Sequence, residues 1–395
     1  MRYWRLTVCF MLLASIAQAD EPQFQSIAIF PTEKKHNHSS CVVELKNGDL
    51  LAAWYSGKGE RKSDDVLIQG AWLKKGQAIW GPRFTLADTP GYPDCNPAIF
   101  APPNGQIWLF WPTILDHRWE SALLKFAMAD DDGEHVGPIE WKREGVVHIT
   151  PKDFGRDIAE AVKSFHEPIP EIEEIEFKAN LELSKNELYQ RLGWMPRVHV
   201  LILPAGRWLL PLYCDTFSVS IAAISDDQGK SWTPSKPMVG FGNIQPSFVR
   251  KNDGTIVAYM RENGRHQKIR QSSSKDDGMT WSPVIDSKLP NPGAGIEAIR
   301  LENGHWAMIY NDSVKDRNTL ALSISDDEGA TWKWTRHVEK GERGQGSFHY
   351  PSLIQTHDGF LHVTYTHGGT HDGSTIEHSK FNEEWVIDKG SVEAR

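Results

Sequence analysis

An eight-residue pattern recurs three times in the second half of the chain, and it strongly limits how the chain can fold. The pattern is Ser-x-Asp-x-Gly-x-Ser/Thr-Trp, at residues 225–232, 274–281 and 325–332, with a weaker copy at 129–133. Its tryptophans, Trp232, Trp281 and Trp332, are 49 and 51 residues apart, a spacing typical of propeller blades. Ser and Asp can hold a turn, and Gly permits a positive φ. We therefore interpret each copy as a structural staple with a buried Trp, not as a ligand-binding motif.

A second repeat gives the number of blades. Six hairpins with alternating apolar strands have turns that end in Gly48, Gly105, Gly206, Gly254, Gly304 and Gly359. Each hairpin followed by a second strand pair makes a four-stranded blade. The sequence therefore predicts an all-β fold, a six-bladed β-propeller whose ring hides most sheet edges.

The sequence also predicts one insertion in the repeat and the strand pairing that closes the ring. The glycine spacing doubles to 101 between Gly105 and Gly206, and we place an insertion there, at about residues 147–195. Its acidic, helix-favouring composition predicts one or two short helices on the surface. We expect residues 24–29 to close the ring by pairing with a strand near residues 384–387.

The N-terminal segment predicts export. Arg2 and Arg5 precede a short apolar run that ends in Ala-Gln-Ala at residues 17–19. We predict a signal peptide at 1–19 and a mature propeller at 20–395, periplasmic or extracellular. No later segment is apolar enough to predict a membrane anchor.

Composition narrows the function further. The formal net charge of −9 argues against non-specific nucleic-acid binding. Cys41, Cys95 and Cys214 follow the predicted cleavage point, and this odd number allows at most one bridge. The oligomeric state is left open by the sequence.

The repeated turns resemble the Asp boxes of sialidases and other BNR-repeat proteins. Three further stretches, residues 38–49, 245–250 and 289–297, together with Phe348 to Pro351, are similar to the bacterial sialidase-like BNR family. The resemblance covers nearly the whole mature chain apart from the insertion. It implies the six-bladed fold and a carbohydrate substrate, but many Asp-box propellers are not sialidases.

Propeller geometry places a polar site on the face that carries the starts of the first strands and the loops after the second strands. We call this the ligand face. Side chains that we expect there include His38, Asn96, Gln245, Asn311, His349 and Tyr350. Their convergence is typical of a polar ligand site. Arg197, Arg261 and Glu297 are expected on the same face. Structural alternatives stay open: the two arginines could pair with carboxylates in the channel, Tyr350 could belong to the core, and Glu297 could cap backbone groups.

The resemblance implies roles for these residues. A sialidase binds the sugar carboxylate with an Arg cluster, attacks with a Tyr activated by a Glu, and protonates the leaving oxygen with an Asp. This assigns Tyr350 as nucleophile, Glu297 as its partner and Asp65 as acid/base. Arg197, Arg261, Arg265 and Arg270 are the candidate clamp, and His38, Asn96, Gln245, His349 and Asn311 are further substrate ligands. No metal site or cofactor is predicted, because His367 and His371, although four residues apart, lie in a Gly-rich loop and not on a helix.

Two departures keep three functions open. Residues 30–38 lack the Arg that sialidases carry at the start of the first blade, and Glu297 lies later in the chain than the sialidase Glu. The first hypothesis is an exo-glycosidase of sialidase type that removes terminal acidic sugars. The second is another glycosidase or a lyase that relies on His38 and His349. The third is a non-catalytic propeller that binds glycans.

Overall fold

Six antiparallel sheets form the blades of a β-propeller, as the two repeats predict. The computed structural model describes residues 21–163, 170–344, 346–368 and 373–388. The predicted signal peptide and His371 lie outside these residues. None of the helices in the described ranges is long and apolar enough to cross a membrane.

The strands follow one another from the channel outward in each blade. β1 (Phe24–Ala28) belongs to the last blade. Blade 1 contains β2 (His36–Glu44), β3 (Leu50–Gly57), β4 (Leu67–Leu73) and β5 (Phe84–Ala87), and blade 2 contains β6 (Ala98–Phe100), β7 (Gln106–Ile114), β8 (Ala122–Asp130) and β9 (Arg143–Val146). Blade 3 contains β10 (Met195–Pro196), β11 (Leu201–Ile202), β12 (Trp208–Cys214), β13 (Val219–Ser225) and β14 (Thr233–Pro234).

The remaining blades repeat this order. Blade 4 contains β15 (Asn243–Arg250), β16 (Ile256–Glu262), β17 (Lys268–Ser274) and β18 (Ile285–Pro290), and blade 5 contains β19 (Glu297–Arg300), β20 (Trp306–Tyr310), β21 (Thr319–Ser325) and β22 (Trp334–Lys340). Blade 6 contains β23 (Ser347–Gln355), β24 (Leu361–Gly368), β25 (Ser374–Phe381) and β1. A short 3₁₀ helix spans Trp119–Ser121.

The ring closes through β1, but with a different partner from the one predicted. β1 pairs with β25, with Phe24 opposite Phe381. The predicted partner, residues 384–387, lies in the helix α4 (Glu383–Asp388), so that prediction is wrong. Asn382 explains the helix, because its side chain accepts a hydrogen bond from the Trp385 amide and two glutamates fill the first turn.

The Asp boxes staple the turns between third and fourth strands. In the second copy, the Asp276 carboxylate accepts hydrogen bonds from the backbone and hydroxyl of Thr280, and the Gly278 amide donates to Ser274. Their tryptophans pack between sheets; the Trp281 ring stacks on Phe248, for example. These contacts hold the face opposite to the ligand face, and the structural interpretation of the repeat is confirmed.

The insertion contains three helices where one or two were predicted. They are α1 (Phe154–Val162), α2 (Glu171–Leu183) and α3 (Glu187–Arg191). Because the insertion connects the outer strand of blade 2 to the inner strand of blade 3, it lies on the ligand face. Phe154 anchors it in the core against Trp194 and Phe217.

A buried histidine pair couples the last blade to the first. The Trp80 indole N–H donates to His378 Nδ1, and His378 Nε2 lies 2.9 Å from His362 Nδ1. Burial lowers the pKa of both rings, that of His362 to about 4. Both imidazoles are therefore neutral at neutral pH.

This pair predicts acid instability. Between pH 6.5 and about 4, the unfolded chain binds protons that native His362 and His378 do not, so stability falls as the pH falls through that window. Each ring contributes about 1.4 kcal/mol per pH unit. We expect His362→Gln to reduce the loss between pH 7 and pH 5 by about 2 kcal/mol in urea unfolding. The exposed His357→Gln is the control; an unchanged pH slope in His362→Gln would contradict the assignment.

Candidate active site

At the ligand face, four of the innermost strands have a residue with a left-handed backbone conformation (positive φ) in the strand or just before it. These residues orient the side chains of the site. Ser39, Asn96, Gln245 and Tyr350 have φ values of 58°, 42°, 55° and 47°. Register shifts mark three of these positions as bulges, in β2, β15 and β23. A positive φ is costly for a bulky residue such as Tyr, and bulges often re-aim side chains near active sites. The arrangement therefore indicates a functional channel mouth.

Tyr350 is the centre of this mouth. Its hydroxyl oxygen accepts hydrogen bonds from Arg261 Nη1 at 2.9 Å and Gln245 Nε2 at 3.0 Å. The His38 ring stacks on the Tyr350 ring with 4.3 Å between centroids. A Cβ on Gly295 would lie 3.0 Å from Tyr350 Cδ1, so the glycine lets blade 5 approach the ring.

Three arginines surround the Tyr350 ring, and they differ in exposure. The guanidinium carbons of Arg197, Arg261 and Arg317 lie 4.7, 6.0 and 6.0 Å from the ring centroid. Arg261 and Arg317 are partly exposed at the mouth, whereas Arg197 is 0% exposed. Arg197 donates to the carbonyl oxygens of Ser40 and Pro351 across the channel. Of these three arginines, Arg261 and Arg317 are therefore the ones placed to meet a ligand carboxylate.

The histidines at the mouth are neutral. Burial, with the charge of Arg317, lowers the pKa of His349 to about 3. Burial also lowers the pKa values of His38 and His36. Arg317 Nη1 donates to His349 Nδ1 at 2.9 Å, which places the ring proton of His349 on Nε2, beside Ser347. Neutral imidazoles can accept protons during a reaction.

Two carboxylates belong to the mouth, and neither is Asp65. Glu60 accepts a hydrogen bond from the Tyr55 hydroxyl, which also lies 3.1 Å from His36 Nε2. Burial raises the pKa of Asp215, an effect that Glu60 increases and Arg261 opposes. Asp65 is exposed, and a hydrogen bond from Ser63 lowers its pKa. Asp215 therefore fits the acid of a reaction better than Asp65 does.

Glu297 lies deeper in the channel and does not contact the Tyr350 hydroxyl. Its carboxylate lies 2.6 Å from His199 Nδ1 and accepts a hydrogen bond from the Leu353 amide, also at 2.6 Å. His199 Nε2 lies 2.7 Å from the Val42 carbonyl oxygen and 3.5 Å from Cys41 Sγ. This group, the channel clasp (Glu297, His199, Val42 and Leu353), joins blades 1, 3, 5 and 6.

Cys41, Cys95 and Cys214 are all free thiols.

The other predicted ligands divide into two groups. Asn96 joins the mouth through the Tyr213 hydroxyl, which also receives a hydrogen bond from Gln245. Asn311 braces blades 5 and 6 by donating to the carbonyls of Thr319 and Phe348. Arg265 is exposed in the loop after β16.

The structure does not bring Arg270 to the mouth. It lies on the third strand of blade 4, two strands from the channel, where it pairs with Asp286 and donates to Gly240. The channel clamp therefore needs an arginine other than Arg270.

Arg317 is the main residue that the sequence reasoning missed. It lies in the loop between the second and third strands of blade 5, whereas Arg261 lies in the second strand of blade 4, and the repeat equivalent of Arg261 in blade 5 is Asn311. The repeat period therefore does not reveal Arg317; the available signal is its position in a loop that follows a second strand, on the ligand face. Glu60 and Asp215 were also assigned no role from the sequence.

Buried polar atoms around Tyr350 lack protein partners. Within the described ranges, no hydrogen bond reaches Gln245 Oε1, Asn96 Oδ1, Arg197 Nε or Arg261 Nε. Native proteins leave few such atoms, and those that remain are often at functional sites. These atoms, the two accessible arginines and the carboxylates define a polar ligand site at the channel mouth of a sialidase-like propeller.

Comparison with known proteins agrees with this class. A family model described as a BNR repeat-like domain matches residues 48–363, and the chain belongs to this family. The anhydrosialidase of Macrobdella decora is 24% identical over 181 residues, which is 41% of this chain and 23% of that protein. The chain thus matches about a quarter of the length of that curated relative.

Solved structures share the fold at low identity. A protein of unknown function from Dyadobacter fermentans has a TM-score of 0.68 and 17% identity, covering 91% of this chain and 99% of its own. The intramolecular trans-sialidase from Ruminococcus gnavus has a TM-score of 0.67 and 13% identity, covering 90% and 96%. These similarities establish the fold.

Proposed function

We propose that the chain is a carbohydrate-active enzyme of sialidase type that cleaves the glycosidic bond of a terminal acidic sugar. The observation that carries the proposal is the convergence of Arg261 and Arg317 on Tyr350. Planar guanidinium groups bind carboxylates with paired donors, and the partly exposed pair offers this from neighbouring blades. The sialidases among the structural neighbours and the anhydrosialidase of Macrobdella decora support an acidic sugar as the substrate.

In this proposal the Tyr350 hydroxyl gives its proton to solvent at the open mouth, and its oxygen forms a bond to the anomeric carbon. The glycosidic carbon–oxygen bond breaks in the same step, and the leaving oxygen takes a proton from Asp215. The hydrogen bonds from Arg261 and Gln245 support negative charge that develops on the phenolic oxygen. Water then releases the sugar, and Asp215 accepts a proton in that step. Arg197 stays under the ring and holds it, so the clamp consists of two arginines instead of three.

One observation favours a second candidate, a lyase that acts on a uronic acid. Among the described residues, Gln245 and not a carboxylate contacts the Tyr350 hydroxyl, so no neighbouring base receives the proton of an attacking Tyr. In β-elimination a neutral His removes the proton next to the sugar carboxylate, Tyr350 protonates the leaving oxygen, and a carbon–carbon double bond forms. His38 and His349 are the candidate bases, and His349 can act only when Arg317 turns to the substrate carboxylate and leaves the Nδ1 lone pair free.

Sialoside turnover tests the first candidate. The mature protein should hydrolyse a fluorogenic sialoside, and Arg261→Ala should lower kcat/KM by about 10²-fold, because one half of the carboxylate clamp is removed. Arg300→Ala is the matched control: Arg300 is exposed on the opposite face, where it contacts Asn252. No turnover at high enzyme concentration, with ultraviolet absorbance appearing from a uronic glycan, would exclude the sialidase and support the lyase.

We also propose that the protein is exported, by removal of residues 1–19. The charged and apolar N-terminal run with its small-residue site supports this. N-terminal sequencing of protein recovered from the periplasm or medium should begin at Asp20; intact protein in the cytoplasm alone would contradict export.

A further inference from the structure

A cavity of about 120 Å³ lies on the ligand face between the insertion and blades 3 and 4. Its apolar wall includes the rings of Phe177, Phe217 and Phe241, and its polar wall includes Asn180 and Asn263. We call it the insertion cavity. The helix α2 supplies Phe177 and Asn180, so the cavity exists only because of the insertion.

The insertion cavity adjoins the segments that carry the channel-mouth residues. Phe217 follows Asp215 by two positions, Asn263 follows Arg261 by two, and Phe241 precedes Gln245 by four. The backbones of these segments are tied together: the Asn243 amide donates to Ser218, and the Asn263 amide donates to Gly242. The same three segments therefore face the channel with one set of side chains and line the cavity with the next.

The backbone that lines the cavity is strained. Ser218 and Phe241 have φ values of 49° and 52°, in a region that non-glycine residues seldom occupy. Gly242 has a φ of 73°, and a Cβ there would lie 2.6 Å from the Gly264 nitrogen. Strain of this kind concentrates at functional sites. This is a second observation, separate from the cavity itself, that indicates a ligand.

The lining also indicates the kind of ligand. Neither side-chain amide has a protein partner in the described part of the chain: Asn180 is half-buried in the cavity wall, and Asn263 is exposed to solvent. Aromatic rings favour a flat apolar partner, and free carboxamides favour a carbonyl group. We propose that the insertion cavity binds an aromatic acyl group carried by the acidic sugar, a proposal that rests on the proposed function. The cavity then selects acylated substrates over plain ones.

A fragment experiment tests the cavity independently of turnover. The probe is 4-(trifluoromethyl)benzamide, which combines a flat ring, a carbonyl and a fluorine signal. We expect its ¹⁹F resonance to broaden with the full chain, with a dissociation constant of about 1 mM. Asn180→Trp should fill the cavity and weaken binding at least about tenfold. Lys178→Trp, on the exposed side of the same helix, should leave binding within about twofold.

A kinetic arm separates the two proposals. On an acidic glycoside that the wild type cleaves, Asn180→Trp should raise KM about tenfold for the benzoylated form, with kcat and the plain form unchanged. If the wild type binds the fragment, Asn180→Trp abolishes that binding and no glycoside is cleaved, the cavity proposal would stand and the proposed function would be refuted. Absent broadening in the wild type, or equal broadening in Asn180→Trp, would overturn the cavity proposal even where turnover is observed.

Discussion

Replacement of Tyr350 by phenylalanine is expected to lower kcat by about 10³-fold or more, with KM changed by less than about threefold. The ring would stay between His38 and Arg197, because both contacts are made to the ring and not to the hydroxyl. Only the oxygen that accepts hydrogen bonds from Arg261 and Gln245 is lost. The measurement is steady-state hydrolysis of the sialoside by wild type and variant, with thermal unfolding to show that the variant is folded.

The comparison variant is His349→Gln, which separates the candidate reactions. In the sialidase, His349 supports Arg317, and its replacement should cost about tenfold in kcat/KM. In the lyase it is a candidate base, and its loss should cost about as much as the loss of Tyr350. Full activity of Tyr350→Phe would refute both mechanisms. Glycan binding without turnover, unaffected by either variant, would establish a binding propeller instead.

Replacement of Glu297 by alanine is expected to lower the free energy of unfolding by about 3–5 kcal/mol. The change would leave the His199 imidazole and the Leu353 amide without their partner inside the channel. Burial alone lowers the pKa of His199, but Cys41 and Glu297 raise it well above its ordinary value, so the ring is a cation at neutral pH. An uncompensated buried cation is strongly destabilising.

Urea unfolding at several pH values checks the origin of this loss. A raised pKa in the native state stabilises the fold below the unfolded pKa, near 6.5, and the contribution disappears as the pH rises through the native value. The difference between wild type and Glu297→Ala should therefore shrink at high pH. Glu182→Ala, which removes an exposed pair with Lys185, is the control and should cost less than about 1 kcal/mol. A loss of that size in Glu297→Ala would show that the clasp is not a main support of the ring.

Local patterns predicted the fold because each repeat carries its own structural signal. The Asp-box side chains bond within their own turns, as at Asp276 and Thr280, so eight residues are enough to identify the unit. The closing strand depended on a longer-range contact, and the sequence reasoning selected the wrong partner. The apolar residues near Trp385 are compatible with a strand as well as a helix, and the helix cap at Asn382 is what distinguishes the two.

The site was less predictable because its contacts join residues from different blades. The ligand face and the central Tyr350, Arg261 and Gln245 were found from their positions at strand ends. Glu297 was assigned as the partner of Tyr350, but its carboxylate contacts His199, deeper in the channel. Nothing local in the sequence tells a carboxylate at the mouth from one deeper in the channel. The proton-donor role was given to Asp65 by resemblance to sialidases, whereas burial distinguishes Asp215.

The pairing of β1 with β25 also bears on the order in which the chain can fold. Phe24 and Phe381 are the first and last strand residues of the ring, so the circle cannot be completed until residues 24–381 have all been synthesised. Until β25 is in place, β1 has no partner strand, and its backbone edge is open to other chains. Ring closure is therefore a late, long-range step of folding, and contacts between residues so far apart in the sequence form slowly.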